Sequence, residues 1–308
     1  MAEAYRAPFH AGLLAPRYWL TWVSLGVIGL ISLLPRSVVR AQGAGLAAIV
    51  WRLSPRRRHI ASVNLALCFP ELDEAARERL LREHFRTTAQ CFVDYGMLWF
   101  RGADTHAKRM RLVGEEHYLA CREAGRPVIV LAPHTPALDF ASLRMSQLHE
   151  GVSLAKPIKN PVVEWINHRS RTQYGAVVFS REQGLRPALR HIKQGLFFYY
   201  LPDEDLGPEH SVFVPFFGVP KATLPALGKV ARLTGAAVLP SLNVYLPDED
   251  IYEMRLEAPM EDFPTGDPEQ DALRMNQAIE TVVRRHPAQY MWSLKYFKTR
   301  PDGEPGVY

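Results

Sequence analysis

The stretch VIVLAPHTPALDF, at positions 128–140, joins an apolar run to two ionisable side chains. Its four leading aliphatic residues and the Ala-Pro that follows predict a short buried strand. Thr135 and Pro136 suit the N-cap and the first position of a helix. The stretch therefore predicts a strand that leads directly into a helix, with His134 in the connection and Asp139 in the first helical turn.

His134 and Asp139 are candidates for catalysis, because open α/β sheets place their sites where strands end and helices begin. If the chain folds back at His134, the Asp139 carboxylate accepts a hydrogen bond from one ring nitrogen. The other ring nitrogen is then free to take a proton from an attacking hydroxyl. Among the 11 histidines only His134 is followed five positions later by an acidic residue. That spacing alone is weak, and a capping or core histidine is the alternative.

Beyond this stretch, short aliphatic runs alternate with amphipathic segments. The predicted strands are residues 128–131, 177–179, 196–201, 212–216, 237–244 and 252–256. The predicted helices are residues 38–51, 73–100, 138–148, 161–174, 185–194, 224–234 and 269–286. This alternation predicts an α/β fold in which helices flank a mixed, mostly parallel sheet. We expect an N-terminal anchor at residues 1–52 and one larger domain at residues 53–308.

The apolar segment YWLTWVSLGVIGLISLLP, residues 18–35, has no charged side chain and is flanked by Arg17 and Arg36. A helix of this length spans about 27 Å, which is enough for a bilayer core. The segment predicts a single N-terminal membrane helix, with a buried core helix as the alternative. Arginines are concentrated on its C-terminal side, which predicts that this side faces the cytoplasm.

Composition, charge and missing motifs narrow the class of protein. Its 308 residues are 47% hydrophobic and carry a net charge of +5, as expected of a folded globular protein. The basic block at residues 36–58 favours an anionic membrane surface over nucleic acid, with a solvated basic loop as the alternative.

The three cysteines lack paired spacing, which argues against a disulfide framework. Without a G-x-S-x-G, G-x-G-x-x-G, H-E-x-x-H or phosphate-loop motif, the sequence does not indicate a serine hydrolase, dehydrogenase, zinc protease or kinase.

The stretch LPDEDLGPEHSVFVPFFG, residues 201–218, concentrates acidic and aromatic side chains after a predicted strand. Asp203 and Asp205 are candidates for positioning arginines or sugar hydroxyls, with a metal site or a solvated turn as alternatives. Phe213 and Phe216 are candidates for lining an acyl-chain groove, with ordinary core positions as the alternative.

Arg171 and Arg181 lie where the chain returns toward the same edge of the sheet. Guanidinium groups suit phosphates, so both arginines are candidates for substrate binding, with ion pairing to the acidic stretch as the alternative. The acidic spacing matches neither a calcium loop nor a zinc helix, and we expect no metal or other cofactor.

Several motifs together resemble the bacterial lipid A late acyltransferases, the lauroyl and myristoyl transferases of lipopolysaccharide synthesis, within the lysophospholipid acyltransferase superfamily. The matching segments are the N-terminal apolar helix, NLALCFPEL at 64–72, APHTPALD at 132–139, KNPVVEWINHRSR at 159–171, FSREQGLRPAL at 179–189, PDEDLGPEHSVFVPFFG at 202–218 and QYMWSLKYFKTRPDG at 289–303. The resemblance covers nearly the whole chain, and the acidic stretch and the tail are its most specific parts. It implies a glycerol-phosphate-acyltransferase-like fold, with the acyltransferase domain at residues 53–308.

The resemblance also implies an activity and a location. The enzyme would transfer a fatty acyl chain from acyl–acyl carrier protein to a hydroxyacyl group of a Kdo-bearing lipid A precursor. It would do so at the cytoplasmic face of the bacterial inner membrane, without a nucleic-acid partner. In the His-x₄-Asp motif, His134 resembles the catalytic base and Asp139 its orienting acid.

The other site residues correspond to family positions with less definite roles. Arg171 and Arg181 match arginines that would bind acceptor phosphates or stabilise the oxyanion, and Asp203 and Asp205 match an acidic motif without an assigned role. Many members have Glu where this chain has Asp139, and the intervening TPAL is less bulky than expected, which leaves acyl-chain length open. The alternatives are an acyl-CoA-dependent transferase acting on a glycerophospholipid or glycolipid, and a non-catalytic lipid-binding protein at the membrane.

Overall fold

The computed structural model describes residues 3–308; residues 1 and 2, the start of the predicted anchor, lie outside the described residues. The helices are α1 (Trp19–Ile31), α2 (Arg36–Leu53), α3 (Pro55–Cys68), α4 (Glu74–Phe100), α5 (Ala103–Arg109), α6 (Glu115–Glu123), α7 (Leu138–Leu148), α8 (Pro161–Thr172), α9 (Arg186–Lys193), α10 (Ala226–Thr234) and α11 (Pro268–Val283). The strands are β1 (Met110–Val113), β2 (Val128–Leu131), β3 (Gly151–Ala155), β4 (Val177–Ser180), β5 (Phe197–Tyr200), β6 (Val212–Phe216), β7 (Val219–Thr223), β8 (Ala237–Leu246) and β9 (Ile251–Leu256). Short 3₁₀ helices occupy Ala11–Leu14, Pro16–Tyr18, Arg181–Gln183 and Pro287–Gln289.

A seven-stranded sheet with the order β1-β9-β8-β2-β5-β3-β4 forms the centre of the molecule. Strands β8, β2, β5, β3 and β4 are parallel, whereas β9 pairs antiparallel to β8 and parallel to β1. The predicted α/β fold with a mostly parallel sheet flanked by helices is therefore confirmed. In such a sheet the loops after neighbouring parallel strands meet at one edge, which is where ligands bind.

Strand β2 is buried on both faces, as its aliphatic sequence predicts. Ile129 and Leu131 pack into a core shared with α9, α10 and α11. Val128 and Val130 pack on the opposite face, against α6 and the methionine of α7, Met145. The alternation of side chains along β2 thus joins two helical layers to one sheet.

Strand β6 lies at the predicted residues but does not belong to the central sheet. It pairs antiparallel with β7, which the sequence did not predict, to form a separate hairpin. This hairpin packs against α11, where Asn276 Nδ2 donates to Pro215 O and to Thr223 Oγ1. The acidic stretch before β6 therefore connects the central sheet to a second layer of the fold.

The N-terminal apolar segment folds as a helix shorter than predicted. Helix α1 has 13 residues and rises about 20 Å, less than the roughly 30 Å of a hydrocarbon core. The chain bends after it, and Pro35 precedes α2, so the two helices are not continuous. Within residues 3–308 no helix combines the length and apolarity needed to cross a bilayer, and the predicted spanning helix at residues 18–35 is not confirmed.

Helices α1 and α2 pack against the long helix α4. A Cβ at Gly96 of α4 would lie 2.5 Å from the carbonyl oxygen of Ile28, so only glycine allows α1 to approach this closely. Arg36 at the start of α2 binds both Asp94 of α4, at 2.5 Å, and Asp250 of the β8–β9 turn, at 2.8 Å. The N-terminal helices are therefore joined to the body of the protein by close packing and by buried charge.

Candidate active site

The loops that follow β2 and β5 form the centre of the candidate site. These two strands are parallel neighbours, and the amide of Ala132 donates to Tyr200 O at 2.9 Å where both strands end. The pairing brings His134, three residues after β2, beside Asp203, three residues after β5. The amide of Met291 in the C-terminal tail donates to His134 O at 2.9 Å and holds the loop from the other side.

Asp203 binds His134 at two points. Its Oδ1 lies 2.6 Å from Nδ1 of the ring, and its Oδ2 accepts from the His134 amide at 2.8 Å. Because a carboxylate only accepts, Nδ1 carries the proton and Nε2 is left as the basic nitrogen. The hydroxyl of Tyr290 also donates to Oδ2, at 2.9 Å, so the carboxylate is fixed on three sides.

The electrostatics of this pair favour a protonated imidazole beside an ionised carboxylate. Burial lowers the pKa of His134, but the charge and hydrogen bond of Asp203 outweigh it, and the net pKa is raised. Burial raises the pKa of Asp203, but the charge and hydrogen bonds of His134 outweigh it, and the net pKa is lowered. Asp203 is only 1% exposed, so solvent weakens the interaction little.

Asp139 does not contact the histidine ring as the sequence predicted. Helix α7 begins at Leu138 without a side-chain cap, so Thr135 is not its N-cap and Asp139 lies at its second position. The Asp139 carboxylate accepts from Arg171 of α8, with Nε at 2.8 Å and Nη2 at 3.0 Å, and from the Tyr95 hydroxyl at 2.8 Å. The orienting contact expected of Asp139 is therefore made by Asp203, because the loop after β5 is the nearer neighbour of the ring.

Arg171 is held rigidly by these contacts. Burial lowers the pKa of its guanidinium, but the charge of Asp139 outweighs burial, and the net pKa is raised. The paired nitrogens Nε and Nη2 face Asp139, which leaves Nη1 as the donor for a ligand. Asp139 thus positions a cation that lines the same pocket as His134 instead of orienting the histidine itself.

Arg181 and Glu204 form an ion pair beside the imidazole. Nη1 of Arg181 lies 2.5 Å from Glu204, and the other Glu204 oxygen lies 4.0 Å from Nε2 of His134. Both side chains are partly exposed, at 36% and 28%. A negatively charged ligand group that binds Arg181 would therefore compete with Glu204.

A pocket of about 340 Å³ opens next to these groups. Its lining includes His134, Asp139, Arg171, Arg181 and Glu204 together with apolar side chains. The apolar and aromatic lining residues are Leu138, Leu143, Val152, Leu154, Phe197, Tyr199, Tyr200 and Leu201. The pocket thus combines a histidine, the cations Lys156, Arg171 and Arg181, and a surface suited to a hydrocarbon chain.

Three predicted site residues lie elsewhere. Asp205 accepts from the amide and hydroxyl of Thr299, at 2.8 and 2.9 Å, and so fastens the C-terminal tail. Phe216 is fully buried among aromatic residues of the core, and Phe213 is 37% exposed on the hairpin. Neither phenylalanine lines the pocket described above.

The sequence prediction missed Glu204, Tyr95 and the β3 side of the pocket. Glu204 stood in the acidic stretch between two chosen residues, but nothing in the sequence indicated that it faces the ring. His210, in the same acidic stretch, has a side chain that is 81% exposed. Among residues 3–308 no three His, Cys, Asp or Glu side chains are arranged to share a metal ion.

The fold and the site together define a class: an α/β protein with a histidine–carboxylate pair next to a pocket that combines apolar walls with basic side chains. Comparison with known proteins identifies the family. Residues 6–299 match the family described as bacterial lipid A biosynthesis acyltransferase. The chain belongs to this family and is an acyltransferase of lipid A biosynthesis.

Individual relatives match along nearly their whole length. The chain is 35% identical over 301 residues to a lipid A biosynthesis acyltransferase of Haemophilus influenzae, covering 97% of this chain and 94% of the relative. It is 33% identical over 301 residues to the lipid A biosynthesis lauroyltransferase of Escherichia coli K12, covering 97% and 98%. It is 35% identical over 305 residues to the lipid A biosynthesis myristoyltransferase of the same organism, covering 99% and 94%.

Proposed function

We propose that the enzyme transfers a fatty acyl chain from acyl–acyl carrier protein to a hydroxyacyl group of a Kdo-bearing lipid A precursor, with His134 as the base. The observation that carries this proposal is the His134–Asp203 pair, which leaves Nε2 basic beside a pocket with apolar walls and two arginines. A direct transfer suits this site, because none of the serines that line the pocket hydrogen-bonds to His134 in the described residues, and the acceptor supplies its own nucleophilic hydroxyl.

The proposed reaction begins when Nε2 of His134 takes the proton of the acceptor hydroxyl. The alkoxide oxygen attacks the thioester carbonyl carbon, and Asp203 stabilises the imidazolium that forms. Nη1 of Arg171 stabilises the oxyanion of the tetrahedral intermediate. The carbon–sulfur bond then breaks, and the imidazolium returns its proton to the leaving thiolate.

Arg181 is proposed to bind a phosphate of the acceptor. Its present partner, Glu204, is a single partly exposed carboxylate, and a phosphate offers more oxygens to the same planar donor. Lys156, which also lines the pocket, adds a second positive charge. If a phosphate replaced Glu204 as the partner of Arg181, Nε2 of His134 would be accessible to the acceptor hydroxyl.

Membrane attachment through the N-terminal helices is the corresponding proposal for location. Helix α1 exposes large apolar side chains at helical spacing, namely Leu20 (79%), Val23 (63%), Val27 (50%) and Leu30 (68%). Such a face suits the acyl boundary of a membrane surface. We propose that this face holds the acyltransferase domain, residues 53–308, at the cytoplasmic side of the bacterial inner membrane.

Mass spectrometry of a tetra-acylated, Kdo-bearing lipid A precursor tests the proposed reaction. Detergent-solubilised protein is incubated with this acceptor, or in a parallel reaction with a phospholipid acceptor, and with acyl chains of mixed length supplied either on acyl carrier protein or on CoA. One added acyl chain from the carrier-protein donor, absent with H134A, is the expected result. Transfer from CoA alone, or transfer only to a phospholipid acceptor, would overturn the proposal.

A further inference from the structure

Lys221 of β7 is a buried cation without an evident structural role. Its side chain is fully buried, at 0% exposure. In the described part of the chain, its Nζ has no hydrogen-bond partner. A buried ammonium without a hydrogen bond is costly, so its presence requires a compensating interaction or a function.

The charges that face Lys221 are those of the acidic stretch. Asp203 and Asp205 both act on its ammonium electrostatically. The ring of Phe216 lies 5.7 Å from Nζ, and α11 contributes the neutral amide of Asn276 to the same hairpin. Lys221 is therefore the counter-charge for two buried carboxylates, one of which holds the catalytic histidine.

The C-terminal tail contributes neutral groups to the surroundings of these carboxylates. Tyr290 donates to Asp203, and Tyr296 stacks on Tyr290 with ring centroids 4.6 Å apart. On its open side His134 faces Glu204 and Arg181, which already form a pair with each other.

We propose that Lys221 is a positioning residue that balances the charge of Asp203 and Asp205 and thereby allows His134 to release its proton. This inference rests on the proposed role of His134 as the base. It adds a residue that contacts neither substrate and acts only through the buried carboxylates behind the ring.

The sign of the effect follows from the charges. With the ammonium present, the two carboxylates and one cation leave a single net negative charge behind the imidazole. Without it, two uncompensated carboxylates favour the imidazolium, and the base stays protonated to higher pH. Burial lowers the pKa of Lys221 to about 8, against the opposing pull of Asp203 and Asp205, so most of its charge is present at neutral pH.

The test compares K221M, K221R and the control K229M. Lys229 is an exposed lysine on α10, so its removal changes the same net charge without touching the acidic stretch. The ring signals of His134 are followed by NMR in histidine-labelled protein across pH, with H134Q for assignment. The pH profile of kcat/KM is measured in parallel.

We expect K221M to move the His134 titration and the acid limb of kcat/KM to higher pH, with kcat/KM at neutral pH reduced about tenfold. K221R should restore both toward the parent profile, and K229M should change neither. An unmoved His134 titration in folded K221M would overturn the inference. A moved titration with an unmoved activity profile would support the role of Lys221 but overturn His134 as the base.

The unmodified protein offers a second measurement that needs no folded variant of Lys221. If Lys221 and His134 are coupled through Asp203, the His134 ring signals should show a second inflection near pH 8, where Lys221 loses its proton. A single inflection through that range would contradict the coupling, even if K221M failed to fold.

Discussion

At the residue scale, Asp203 binds the ring of His134 whereas Asp139 binds Arg171, and asparagine substitutions can distinguish the two roles. In D203N the amide nitrogen would face Nδ1 of His134 and favour the tautomer with the proton on Nε2, which removes the base. We expect kcat to fall by about 10⁴, the scale known for a triad carboxylate changed to an amide. Steady-state kinetics on the folded variant would measure this loss.

D139N should behave differently, because Asp139 holds Arg171 and not the ring. The tautomer of His134 is retained, and the loss comes from a less firmly held oxyanion donor, about 10²–10³ in kcat. A larger loss in D139N than in D203N would show that Asp139 orients the base in the working enzyme, as the sequence motif predicted.

The activity of the enzyme should increase with pH through the neutral range. Since the net pKa of His134 is raised above 6.5, the ordinary histidine value, the neutral base forms only above that pH. The same shift gives the folded state a stabilising contribution that is present below about pH 6.5 and is lost as pH rises through the folded pKa. The pH profile of kcat/KM should therefore have its acid limb above pH 6.5.

Glu204 provides a specific check on this pH dependence. Its carboxylate is one of the charges that raise the pKa of His134, so E204Q should move the acid limb to lower pH. The neighbouring exposed residue Glu182 has no contact with the ring, and E182Q serves as the matched control. An acid limb that moved equally in both variants would indicate a general effect of net charge.

At the scale of elements, the sequence predicted those helices and strands that have a strong local pattern. It did not predict the elements and contacts that depend on pairing between distant parts of the chain. Strand β2 and helix α7 have the predicted bounds, because an aliphatic run and an amphipathic segment each determine their own structure. Strand β1, with its charged Arg111, is instead held by pairing with β9, and Arg111 binds Glu253 at 2.8 Å. The contact of His134 with Asp203 joins residues 69 positions apart, which no local spacing encodes.

Two glycine substitutions, one in the contact of α1 with α4 and one on the open surface of α2, should have opposite effects on stability. In G96A the new Cβ would lie 2.5 Å from Ile28 O, and separating the helices should cost about 1–3 kcal/mol in the free energy of unfolding. Gly45 of α2 has open space around its Cα, so G45A should instead stabilise the helix by about 0.5–1 kcal/mol. Denaturant unfolding in detergent measures both changes. If G96A left the free energy of unfolding unchanged, α1 and α4 would not pack closely in solution.

At the scale of the whole molecule, the apolar N-terminal helix lies next to the helix that carries Arg171. Leu25 of α1 packs with Val162 and Ile166 of α8, and the rings of Trp22 and Trp165 lie 5.6 Å apart. Attachment of α1 to a membrane would therefore place α8, and the pocket that it lines, near the lipid surface. This arrangement suits a substrate that remains partly embedded in the membrane during the reaction.

The exposed face of α1 gives this arrangement a direct test. Replacing Leu20, Val23 and Val27 together with serine removes apolar area that the folded protein leaves exposed, so the fold should be retained. Each aliphatic side chain contributes about 1.5–3 kcal/mol when it leaves water, and partition onto anionic phospholipid vesicles should fall at least about a hundredfold. Sedimentation with vesicles measures the change.

The matched control replaces Leu119 of α6 and Leu233 of α10, which are 43% and 48% exposed on other faces of the protein. Their replacement by serine should leave vesicle binding within a few-fold of the parent. If the α1 variant acylates its acceptor normally in detergent micelles but slowly in vesicles, the helix delivers the site to the membrane. If vesicle binding is unchanged in the α1 variant, attachment through this face is wrong, and the lipid must reach His134 by another route.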